Sequence, residues 1–149
     1  VIGLLLACSR GASEPQADAV GGHSGDADAG SLRLGQGDLG FEPLADGDVA
    51  WLHPGPQGLQ HVWVTLQRDG APGFGLVELA LDVDGVVVSS PFEVSVPWTD
   101  DGAGGVQAIG LTLVVPDPAS ALGLDAVLRA RALEEADQVE VVVEWAATR

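Results

Sequence analysis

From residue 39 onward, clusters of Gly, Pro and Asp cut the chain into short apolar runs of period two, and this rhythm admits little besides a β fold. Successive side chains on a strand point to opposite faces, so alternating apolar and polar residues mark a half-buried strand. Val49 and Trp51 alternate with Asp48, Ala50 and Leu52, and the run breaks at His53-Pro54-Gly55-Pro56-Gln57-Gly58. Val62, Val64 and Leu66 alternate with Trp63, Thr65 and Gln67 until Asp69-Gly70-Ala71-Pro72-Gly73. Val77, Leu79, Leu81 and Val83 alternate with Glu78, Asp82 and Asp84, the cleanest amphipathic strand of all. Asp84-Gly85 is a two-residue hairpin signal, because both residues tolerate the positive φ that such a turn demands. Val86-Val87-Val88 then returns, and Phe92, Val94, Val96 and Trp98 share the next face. Ile109, Leu111, Leu113 and Val115 follow, and the last run sets Val139, Val141, Val143 and Trp145 opposite Glu140 and Glu144.

Two stretches are ambiguous. Residues 116–123 read as a crossover loop with one helical turn. Residues 124–135 are rich in Ala, Leu, Arg and Glu, all good helix formers. Yet Leu124, Ala126, Leu128, Ala130 and Ala132 also fall at period two, with Arg129 and Arg131 opposite. A strand is expected there, since a lone helix fits badly among so many strands. About seven or eight short strands spaced by turns resemble an immunoglobulin-like or fibronectin-like antiparallel β-sandwich. The resemblance is one of layout: the chain has no Cys…Trp…Cys framework and no Tyr for a tyrosine corner. Trp63 lies on an early strand but opposite the Val62 face.

The chain opens differently. Val1-Ile2-Gly3-Leu4-Leu5-Leu6-Ala7-Cys8 is an apolar run ending in a small residue and the only cysteine. It resembles the lipobox of bacterial lipoproteins, with Leu5, Leu6 and Ala7 at the three positions before Cys8. The resemblance implies that residues 1–8 are the end of an export signal whose first residues are missing, and that Cys8 carries diacylglycerol. A thiolate is the nucleophile such alkylation needs. Each buried methylene adds about 0.8 kcal/mol, so two or more acyl chains anchor stably. The competing reading is a buried first strand with a core cysteine. Residues 9–38 are mostly Gly, Ala, Ser and Asp, with Val20, Leu32 and Leu34 the only large apolar side chains, and read as a flexible linker. As a coil it would span roughly 30 Å, holding the domain of 39–149 clear of headgroups.

Within 149 residues there is room for one domain and a tail. Six basic residues, all Arg, against 22 acidic ones give a net charge of −16, which repels nucleic-acid phosphates and anionic headgroups. Two of the basic and five of the acidic residues lie in 9–38, so the acidity belongs to the domain. One cysteine excludes an internal disulfide.

No constellation reads as catalytic. Asp82-Val83-Asp84-Gly85 with Glu93 resembles a calcium loop, but Val87 stands where an EF-hand needs glycine and no helices flank it. These carboxylates are expected on a solvated strand face. Asp46, Asp48, Asp100 and Asp101 would bind a cation only if the fold gathered them. Gly22-His23-Ser24-Gly25 lacks the spacing of a serine-hydrolase elbow, and His23, Asp26 and Asp28 form at most a loose metal site. His53 and His61 flank the Pro-Gly loop without the further ligands zinc wants, and are expected to pack on Trp51 and Trp63. Four Trp invite a sugar-stacking reading, against the commoner core role of large aromatics.

The expectation is a non-enzymatic lipoprotein, extracytoplasmic and anchored at Cys8, with no cofactor and no metal. It serves as a binding or structural module for an unknown protein or glycan; the alternative is a carbohydrate-binding or enzyme-accessory domain. Ser9 after Cys8 resembles the outer-membrane sorting pattern.

Overall fold

The computed structural model describes residues 32–55, 58–133 and 135–147. Among them are ten strands: β1 (Arg33–Gln36), β2 (Glu42–Pro43), β3 (Asp48–Pro54), β4 (Gln60–Asp69), β5 (Gly73–Val83), β6 (Val86–Val87), β7 (Phe92–Asp100), β8 (Gly105–Val115), β9 (Asp125–Ala132) and β10 (Glu135–Trp145). A single 3-10 turn, Pro118–Ser120, interrupts the crossover from β8 to β9, capped by the Asp117 carboxylate accepting from the Ala119 N–H. The protein is all-β, as the alternation predicts, and the strand expected within 124–135 forms as β9, whose Ala126, Leu128, Ala130 and Ala132 are buried. Among the described residues no helix is long and apolar enough to cross a membrane.

The strands form one sheet in the order β2-β1-β4-β3-β10-β9-β5-β7-β8, and β8 pairs back onto β4. Seven strands therefore close a barrel, which removes the free edges an open sheet exposes. All pairings are antiparallel except β3 with β10. The expected all-β fold is thus present as a closed ring with further strands, and the immunoglobulin-like sandwich layout is not singled out by it. The ring is thinnest at two places: β3 meets β4 at Leu52, His53 and Pro54, and β7 meets β8 at Thr99 and Asp100. Between these corners lie a β4–β8 layer and a β3–β10–β9–β5–β7 layer. Alternation specifies which side chains turn inward, but not whether two layers join at their margins.

The corners rest on local geometry. In β8 the buried positions switch from Val106 and Ala108 to Leu111, Leu113 and Val115. Two residues, Ile109 and Gly110, are spent opposite the single Thr65, and Gly110 adopts φ +71°. Such a bulge bends the strand and raises its twist. The Asp84-Gly85 hairpin forms as expected, with φ 51° and 80°. At the barrel end spanned by the β4–β5 and β7–β8 connections, buried Trp98 lies beneath the Arg68 guanidinium, 4.8 Å from ring to Cζ.

The domain begins earlier than residue 39. Leu39 is 88% exposed, whereas Leu32 and Leu34 are buried in the core. β1 pairs with β4, Arg33 donates to Gln67 Oε1 at 2.6 Å, and the Leu34 N–H donates to Asp137 Oδ2 at 2.8 Å. Composition made this stretch look like linker, but two leucines at period two suffice when a neighbouring strand offers an unpaired edge. The lipobox, Cys8, and the rest of the expected linker up to residue 31 lie outside the described residues.

Candidate binding groove

The outward face of the larger layer carries the site. In the β5–β9 register Glu78 stands opposite Arg131 and Ala80 opposite Arg129. Across β9–β10, Arg129 faces Gln138 and Arg131 faces Ala136; across β5–β7, Glu78 faces Glu93. Two alanines thus sit outward among long polar side chains. Small residues so placed leave a depression, an open groove of ≈ 650 Å³ bordered also by Pro91 and Phe92.

Ion pairs hold its walls. Arg131 grips Glu78 with two nitrogens, Nε to Oε2 at 3.1 Å and Nη2 to Oε1. Arg129 Nη1 pairs with Asp82 Oδ2. Asp82 is 2% exposed while Arg129 is 47% exposed, so the pair joins a buried carboxylate to a guanidinium half in water. The expectation of a solvated carboxylate face is corrected for Asp82 alone, since Asp84 and Glu93 are exposed. Beside Asp82, the connection after β6 is drawn against β5: Val88 and Ser89 N–H groups donate to Leu81 O, and the Leu81 N–H donates to Ser89 Oγ.

A second surface lies on β3 and β4. His53 pairs with His61 in register, their rings 6.0 Å apart and stacked. The His61 ring meets Trp63 edge-on at 4.7 Å, as expected, and Trp51 is 38% exposed on the same outer face. Burial, then the neighbouring His53, pushes the His61 pKa down, and its Nε2 has no hydrogen-bond partner. Of the four tryptophans, Trp98 is core and Trp145 is partly exposed at the end of β10.

The four turn aspartates do not gather. Asp46 Oδ1 accepts from the Glu140 N–H, Asp48 Oδ2 from the Ala45 N–H and Asp100 Oδ1 from the Gly102 N–H. Asp101 Oδ1 accepts from the Ala103 and Gly105 N–H groups, which lower its pKa. Asp48, Asp100 and Asp101 each close a turn, and Asp46 ties its turn to β10. Asp84 occupies its hairpin and Glu93 the groove wall, and among the described residues no three His, Cys, Asp or Glu come together to hold a metal. His23, Ser24, Asp26 and Asp28 lie outside the described residues. The groove itself escaped notice in the sequence, although Arg129 and Arg131 at period two in a chain with six basic residues were its signal. No family model, curated protein or solved structure matches this chain.

Proposed function

We propose that this protein is a binding module held at a bacterial membrane, outside the cytoplasm, by lipid on Cys8, and that its ligand surface is the groove across β5, β7, β9 and β10. The groove carries the binding reading: a concavity floored by Ala80 and Ala136 whose polar walls are already fixed by ion pairs. Fixed walls lose little freedom when a ligand arrives, which favours affinity. The run Leu5-Leu6-Ala7-Cys8 carries the anchoring reading.

A photo-reactive residue placed at Ala136 tests the first. In membranes of cells making the full chain it should cross-link to an envelope component, while the same residue at Ala103, on the β7–β8 turn, should not. Equal labelling at both positions would refute the groove. For the anchor, Cys8→Ala should move the protein from the membrane to the soluble fraction, and mass spectrometry of the mature N-terminus should find acyl chains.

A carbohydrate-binding or enzyme-accessory role through the aromatic face is the second reading, favoured by exposed Trp51 on the same outer face as half-buried Trp63 and His53. Glycan binding that disappears in Trp51→Ala would support it.

A further inference from the structure

If the groove is the ligand surface proposed above, its chemistry also selects the occupant. An anionic ligand is disfavoured. The Arg129 and Arg131 charges are matched by Asp82 and Glu78, Glu93 adds a further carboxylate to the lining, and the whole chain carries −16. Approach of a phosphate or carboxylate is opposed by that field. The same field would draw a cation in, but the Asp82 and Glu78 oxygens are already held by guanidinium groups, and among the described residues no three His, Cys, Asp or Glu come together to hold a metal ion. A purely apolar ligand would strip water from Arg129, Glu93 and Gln138 and return no hydrogen bonds, which is costly for a neutral amide and more so for the two charged groups.

A hydroxyl both donates and accepts. A pair of neighbouring hydroxyls therefore satisfies a guanidinium N–H and a carboxylate oxygen together, without adding charge. Arg129 has five N–H donors, and Asp82 faces one of its nitrogens; Gln138 stands directly across the β9–β10 register and offers an amide donor and acceptor. Ala80 and Ala136 leave room for the C–H face of a ring to lie against the sheet. We infer that the groove binds a neutral saccharide, its hydroxyls read by Arg129, Gln138 and Glu93 and its ring seated on Ala80 and Ala136.

The test is a titration of the isotope-labelled full chain with cellohexaose, maltohexaose, mannohexaose, N-acetylchitohexaose and, as the acidic comparison, oligogalacturonate. The Arg129 Nε–H, Gln138 side-chain amide and tryptophan indole signals are followed by NMR. The expected result is that at least one neutral oligosaccharide shifts the Arg129 and Gln138 signals while oligogalacturonate leaves them in place. Ala136→Trp fills the floor at an exposed position and should weaken that binding at least about tenfold, or ~1.4 kcal/mol, with an unchanged far-UV spectrum. Gln138→Ala, equally exposed, should weaken it several-fold and serves if the first variant misfolds. Shifts confined to the Trp51 and Trp63 indoles, stronger binding of the uronate, or no binding by any neutral oligosaccharide overturns the inference. A cross-link at Ala136 together with no saccharide binding removes the sugar and keeps the groove; loss of both removes the groove as well.

Discussion

At the scale of single residues, Asp82 shows how much one position depends on another. Its carboxylate is 2% exposed, and Arg129 is the cation that meets it. Removing one partner of a buried pair costs about 3–5 kcal/mol, but Arg129 is half in water, where screening weakens ion pairs. Arg129→Ala is therefore expected to destabilise the domain by ~1–3 kcal/mol in urea unfolding, and adding Asp82→Asn should recover part of the loss. His61 makes a prediction in pH. Burial and His53 lower its folded pKa below the unfolded value of 6.5, so below pH 6.5 the unfolded chain binds more protons than the native one. Stability contributed by neutral His61 is complete above that pH and is lost as pH falls from 6.5 through the lowered folded value. Thermal unfolding of the wild type against His61→Gln should show the wild type losing more stability between pH 7 and 5.

Among the elements, β1 carries the most consequence for its length. Its four residues bridge to β4 by pairing and to β10 through the Leu34 N–H and Asp137, and they bring Leu34 into the core beside Leu32. Burying a leucine contributes about 1.5–3 kcal/mol. A chain beginning at residue 32 should unfold cooperatively, whereas one beginning at residue 39 should lose at least ~3 kcal/mol, read from the denaturant midpoint. Equal midpoints would show that β1 is dispensable. Short and irregular elements of this kind are where local pattern is weakest. Arg33-Leu34-Gly35-Gln36 has one large apolar residue, and only its neighbours make it a strand. The long runs of β4, β5 and β10 needed no such help, because each repeats its apolar positions three times or more.

For the whole molecule the dominant quantity is charge. With −16 over 149 residues, self-repulsion opposes compaction. Screening relieves it, since the Debye length shrinks from roughly 30 Å at 0.01 M salt to about 8 Å at 0.15 M. The melting temperature should therefore rise by several degrees on adding sodium chloride over that range; a fall would mean that the Arg129 and Arg131 pairs outweigh the repulsion. Strand identity, the inward faces of β4, β5, β9 and β10, the Asp84-Gly85 hairpin and the acidic surface were all legible in the residue order, because each depends on side chains within one or two positions of each other. Closure of the ring through β4 and β8, recruitment of Leu32 and Leu34, burial of Asp82 and the alanine-floored groove were decided only in three dimensions. They arise from which strand lies beside which, and alternation specifies a strand's two faces while leaving its neighbours open.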